Sequence, residues 1–147
     1  MTAVMNRKFG DQAFFDLTDT SSKTFQISTS RLTTGSGSSA TPLTITLAQS
    51  AVGAVTPITD ITKATIPQIV AAIQAKLDAD RTVTTGTNLD TATPTYTNRI
   101  VVSYDYATQG FKFTDSTNVI SVKSGTATKN EALGFPVTSI ALNDNGL

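Results

Sequence analysis

The sequence predicts an α+β domain: mainly antiparallel β-sheet, with one long helix packed on it and long loops rich in Thr and Ser. The chain has 147 residues, of which 28 are Thr and 13 are Ser, and only 15% are charged, against about 25% in an average domain. Thr is stiff at χ1 and favours extended backbone. Several short segments alternate apolar and polar residues, and one segment repeats its apolar residues at helical spacing.

The first half of the chain contains two predicted strands with a loop between them. Alternation at Phe25-Gln26-Ile27 predicts a strand near 23–29. Residues 33–42 (TTGSGSSATP) contain Gly, Ser and Pro without any apolar period, which is typical of a loop. Residues 43–47 alternate strictly, so they predict a half-buried strand. Its core-facing residues are expected to be Leu43, Ile45 and Leu47.

A helix is predicted from about Ile66 to Ala79. Thr65 is suited to cap it, and Gln68 three residues later completes a capping box. Pro67 falls in the first turn, where its missing N–H costs little. One apolar stripe, typical of a face packed on a core, is formed by Ile66, Ile69, Val70, Ile73 and Leu77.

The second half of the chain favours β-structure again. Residues 82–98 form a long polar stretch, and a loop of that length is usually functional or mobile. Residues 99–123 contain three apolar segments separated by turn residues and predict a three-stranded meander. In its first strand, alternate residues are expected to share a face: Ile100, Val102, Tyr104 and Tyr106. Residues 127–135 predict a helical turn that ends at Gly134.

The predicted domain organisation is an N-terminal arm or docking segment over 1–22, followed by a single β-rich α+β domain over 23–147. Phe9, Phe14 and Phe15 lie in or beside the polar N-terminal segment. Apolar residues beside a terminal segment are typical of an arm that lies across a neighbouring subunit, so these three are the candidate assembly interface. The alternative is that Phe14 and Phe15 belong to the core.

The composition disfavours catalysis. The chain contains no His and no Cys, which excludes Ser-His-Asp and Cys-His arrangements and zinc sites built from His and Cys. The pairs Asp16/Asp19 and Asp78/Asp80 are expected to be surface carboxylates or helix caps. Asn143-Asp144-Asn145-Gly146 is too short to complete a calcium loop. We therefore predict no enzyme activity and no catalytic, cofactor-binding or metal-binding residues.

The charge pattern also argues against two classes of partner. Basic and acidic residues number 11 each, and their balance provides no basic patch for nucleic acid or for an anionic membrane surface. The N-terminal residues contain no apolar segment typical of a signal peptide, and no stretch of the sequence approaches the length of a membrane span. We expect no nucleic-acid partner and no membrane association.

The order of motifs over residues about 65–135 resembles a known kind of module. The segments are IPQIVAAIQAKL at 66–77, IVVSYD at 100–105, GFKFTDS at 110–116, VISV at 119–122 and ALGF at 132–135. Together they are similar to the small β-α-β-β modules inserted in phage tail sheath proteins and in flagellins and hook-associated proteins. Those modules normally lie within longer chains, so residues 1–50 would have to supply a separate docking element here.

The resemblance implies a surface-displayed, non-catalytic domain of a large protein polymer. The leading hypothesis is a structural protein of a bacteriophage virion, either a capsid decoration subunit or a tail- or sheath-associated subunit. Its expected partners are other virion proteins or copies of itself, as a homo-oligomer in the assembled particle. The first alternative is a bacterial extracellular adhesin or flagellin-like display module. The second is an enzyme or carbohydrate-binding domain, which a cleft lined by Asp and Tyr would favour.

Overall fold

The computed structural model describes residues 2–3, 14–30, 32, 34–49, 58–80, 100–107, 109–115, 119–130, 132–138 and 140–142. In chain order the elements are β1 (Thr2–Ala3), β2 (Phe14–Phe15), α1 (Thr20–Lys23), β3 (Thr24–Thr29), β4 (Leu43–Thr46), β5 (Ala64–Thr65), α2 (Ile66–Ala79), β6 (Val101–Asp105), β7 (Gly110–Thr114), β8 (Ile120–Ser124) and β9 (Ile140–Leu142). These strands pair antiparallel, and α2 is the one long helix of the described ranges. The predicted α+β class is confirmed.

The largest sheet has four strands in the order β4-β3-β8-β9. In its centre, Phe25 of β3 lies opposite Ile45 on one side and Ser124 on the other. The side chains of Phe25 and Ile45 are buried. The adjacent pair on the same two strands, Gln26 and Thr44, points to the other face. The alternation predicted for both strands is therefore confirmed, and so is the burial of Leu47.

The predicted meander over 99–123 is wrong in its last step. β6 and β7 form the expected hairpin, in which Val102 lies opposite Phe113. β8, however, pairs with β3 and β9 in the four-stranded sheet, while β7 pairs with β1 on its other edge. Local alternation predicted each strand correctly, but strand partners are chosen by long-range burial, which a turn sequence does not reveal.

Helix α2 begins and ends where the sequence predicts. The Gln68 backbone N–H donates to Thr65 Oγ1 over 3.4 Å, and the Thr65 backbone N–H donates to Gln68 Oε1 over 3.0 Å. This reciprocal pair is a capping box, with Pro67 in the first turn. The stripe faces the core, where Ile69, Ile73 and Leu77 are fully buried and Ile66 and Val70 pack at its margin.

Aromatic side chains join the two larger sheets across the core. The ring of Phe25, on β3, stacks on Phe135 with 4.6 Å between centroids. It also lies 6.0 Å from Phe113, on β7. A second group contains Phe15, which lies 6.1 Å from Phe111. Such contacts add to the area these rings bury, so rings from four separate segments link the three sheets through the core.

The chain reversal at 130–135 is built around a buried polar side chain whose amide donates and accepts hydrogen bonds. Asn130 is fully buried; its Nδ2 donates to Thr24 O over 3.2 Å, and its Oδ1 accepts from the Leu133 N–H over 2.9 Å. The Gly134 N–H donates to Asn130 O over 2.8 Å, and Gly134 has φ +80°. That positive φ favours glycine, and the predicted turn ending at Gly134 is confirmed.

The boundary between a predicted arm over 1–22 and a domain over 23–147 does not fall at residue 22. Phe15 and Leu17 are buried in the core, and β2 pairs with β5. Residues 14–22 therefore belong to the domain, because Phe15 and Leu17 are part of its hydrophobic core. Residues 1 and 4–13 lie outside the described residues, and so does the whole of the predicted loop over 82–98.

Candidate assembly surface

The outer face of the four-stranded sheet is made of uncharged polar side chains with a single cation, except at Ala141 of β9, which lies opposite Ser121. We call it the hydroxyl face. Opposite residues on it pair across strands: Gln26 faces Thr44 and Lys123, and Ser28 faces Ser121. The Gln26 Nε2 donates to Thr44 Oγ1 over 3.0 Å. Its members are Gln26, Ser28, Thr44, Thr46, Ser121 and Lys123.

A shallow groove of about 230 Å³ crosses the hydroxyl face. The loop after β3 forms one wall, where Gly37 O accepts from the Thr29 N–H over 2.8 Å and so fixes the loop to the strand. Lys123 is the one charged residue along the groove, and no carboxylate lines it. Its lining residues are Gln26, Ser28, Ser39, Pro42, Ser121 and Lys123. It is suited to polar contact, and the Lys123 ammonium is the one common acid–base group in its lining.

The structure separates the three aromatic residues predicted for assembly. Phe14 is 50% exposed, while Phe15 is 3% exposed and lies in the core. Phe9 lies outside the described residues. β2 places adjacent side chains on opposite faces, so one of the pair had to turn inward. Phe14 remains a candidate contact residue, and Phe15 acts in folding as the alternative reading expected.

Apolar side chains other than Phe14 also reach the surface. Tyr106, just after β6, is 68% exposed and contacts Tyr104 edge-on, with 5.0 Å between centroids. Alternation predicted that Tyr106 shares a face with Val102. Tyr106 does not follow Val102 into the core, because β6 ends at Asp105. Burial, with a smaller contribution from Tyr106, raises the pKa of Tyr104. In the described ranges, the remaining exposed large apolar residues are Val101, Val119 and Val137.

One edge of the three-stranded sheet is covered by the side chain of Gln74, which lies outside the apolar stripe of α2. Gln74 Nε2 donates to Ile100 O and Gln74 Oε1 accepts from the Val102 N–H, each over 3.0 Å. The amide thus replaces a neighbouring strand along β6. Helical spacing alone could not reveal this, because the position of β6 beside α2 depends on the tertiary fold.

Two Asp-x-Thr turns lie side by side on the surface, and the sequence reading missed their pairing. In one, Asp16 Oδ1 accepts from the hydroxyl and the backbone N–H of Thr18; in the other, Asp60 accepts in the same way from Thr62. These hydrogen bonds, the hydroxyl one first, lower the pKa of both carboxyls. The Leu17 N–H joins the turns by donating to Ile61 O over 2.9 Å. The repeated Asp-x-Thr pattern was the available signal.

The described ranges contain no group of three or more His, Cys, Asp or Glu side chains placed to hold a metal ion. Over the same ranges, no helix is long and apolar enough to cross a membrane. Comparison of the chain with models of protein families, with curated proteins and with solved structures finds no match. Functional inference therefore depends on the surface chemistry of this chain.

Proposed function

We propose that this chain is a non-catalytic structural protein of a bacteriophage virion, a capsid decoration or tail- or sheath-associated subunit that acts through protein–protein contacts. The observation that carries the proposal is the hydroxyl face, whose Ser, Thr and Gln side chains are in cross-strand register and bear one charge. Copies of a nearly neutral face pack closely without like-charge repulsion, which suits a repeating lattice.

Two further features support a role in assembly. The exposed apolar side chains of Phe14 and Tyr106 offer contact area at separate places on the surface, and aromatic residues are enriched at protein interfaces. The groove on the hydroxyl face is lined by hydroxyl, amide and ammonium groups. Such groups hydrogen-bond well to a neighbouring protein surface. The proposed location is the virion, after synthesis in the host cytoplasm.

The experiment is a composition analysis of purified particles of the parent phage. Mass spectrometry is expected to find this polypeptide in particles, in a fixed ratio to the major structural protein. Gold-labelled antibody in electron microscopy then distinguishes head from tail. Particles that contain none of this polypeptide would refute the proposal.

The alternative is an extracellular adhesin or flagellin-like display module. The exposed Tyr106, just after β6, favours it, because Tyr side chains are enriched at protein interfaces. Surface labelling of intact bacteria with the same antibody would support this alternative. A gene beside secretion or flagellar genes would point the same way.

A further inference from the structure

The edge of the four-stranded sheet formed by β4 presents unpaired backbone groups. The Leu47 N–H donates to Lys23 O over 2.9 Å, and this pair continues the register in which Thr24 lies opposite Thr46. Hydrogen-bonded pairs alternate along an antiparallel ladder. Thr44 and Thr46 therefore direct their backbone N–H and C=O groups away from β3, towards the outer edge.

No hydrogen bond from the described part of the chain reaches these outward backbone groups. Both threonines are exposed. The edge of β6, by contrast, is covered by Gln74. Natural proteins protect edge strands with Lys, Pro, bulges or a covering element. Pro42 lies directly before β4, but residues 43–49 (LTITLAQ) contain neither Lys nor Pro. Among the described residues, one sheet edge is thus covered and another is left open.

We infer that β4 pairs antiparallel with β4 of a second copy of this chain across a twofold axis. In the register that the outward groups permit, Thr44 of one copy lies opposite Thr46 of the other, and Ile45 lies opposite Ile45. Each Thr44–Thr46 pair exchanges two backbone hydrogen bonds. This inference deepens the proposed function and rests on it, because it names another copy as the assembly partner.

The side chains of β4 suit this partner on both faces of the joined sheet. Residues 43–49 carry no charge, so the twofold axis brings no like charges together. On the inner side, Ile45 and the partly buried Leu43 meet apolar counterparts. On the outer side, the Thr side chains extend the hydroxyl face from one copy into the next. A contact of this size is weak, so association is expected at high protein concentration.

The test is the solution mass of the full chain, measured by light scattering and sedimentation equilibrium up to the highest soluble concentration. Thr46→Pro removes the outward N–H without removing a backbone hydrogen bond within the chain, and Pro is tolerated on edge strands. Thr46→Val is the matched control: it loses the same weak 3.4 Å contact with Thr24 Oγ1 but keeps the N–H. Thr46→Lys is a second edge-blocking variant that retains the backbone.

The expected result is a monomer–dimer equilibrium for the wild type and for Thr46→Val. The dissociation constant is expected to rise about tenfold or more in Thr46→Pro and Thr46→Lys, because each substitution acts at two places in a twofold-symmetric dimer. A strict monomer, a dimer unaffected by both edge variants, or a growing polymer would overturn the inference. If the polypeptide is present in particles but is strictly monomeric in solution, the edge pairing is wrong and the virion role stands. If it dimerises through β4 but is absent from particles, the virion role is wrong and the edge pairing stands.

Discussion

Replacing Gln74 by Ala is expected to lower the free energy of unfolding by about 2 kcal/mol. The side chain supplies two hydrogen bonds of 3.0 Å to the edge of β6, and Ile100 and Val102 are 0% and 5% exposed, so water replaces the amide poorly. Each bond contributes about 1 kcal/mol, and the better helix propensity of Ala returns only a few tenths. For a chain of 147 residues, this corresponds to a fall in Tm of about 6 °C.

The assay is thermal and urea unfolding followed by circular dichroism, with two companion variants. Lys76→Ala alters an exposed residue of the same helix and is expected to change stability by less than about 0.5 kcal/mol. Gln74→Glu keeps the acceptor for the Val102 N–H but, when ionised, cannot donate to Ile100 O. The loss of stability in Gln74→Glu should therefore be greater at neutral pH than in mild acid. If the free energies of unfolding of Gln74→Ala and Lys76→Ala differ by less than about 0.5 kcal/mol, the edge-covering role of Gln74 is wrong.

Three other perturbations probe separate parts of the fold. Asn130→Ala leaves the buried Leu133 N–H without its acceptor and should cost about 2–4 kcal/mol in urea unfolding, whereas a loss below about 1 kcal/mol would contradict the role assigned to the amide. Thr65→Ala removes the N-cap of α2 and should cost about 1 kcal/mol, with Thr65→Ser close to wild type; equal Tm values for all three proteins would count against the cap. Asp60→Ala tests the lowered carboxyl pKa: stability from the ionised Asp60 is present above its ordinary pKa of 3.8 and is lost as pH falls through the lower folded value. The Tm difference between wild type and Asp60→Ala should therefore narrow in acid, and a difference independent of pH would refute the linkage.

The candidate surface was only partly predictable from sequence. Phe14 and Phe15 are adjacent and identical in type, so no local pattern could decide which one turns inward. Pairing of β2 with β5 places Phe15 against Phe111 and leaves Phe14 in water. The alternation at β4 indicated one polar face on that strand, but the continuity of the hydroxyl face depends on β8 lying beside β3. Those two strands are about ninety residues apart along the chain, which places their pairing among the long-range contacts that local patterns do not encode.

The sequence by itself determined the elements whose signals are local. The capping box at Thr65 and Gln68, the apolar stripe of α2, the alternation from Leu43 to Leu47 and the turn at Gly134 are properties of a few consecutive residues. Only the tertiary structure decided which strands share a sheet and which edge is covered by Gln74. The physical reason is that backbone preference acts over one or two turns, whereas strand pairing follows from how all the apolar side chains can be buried at once.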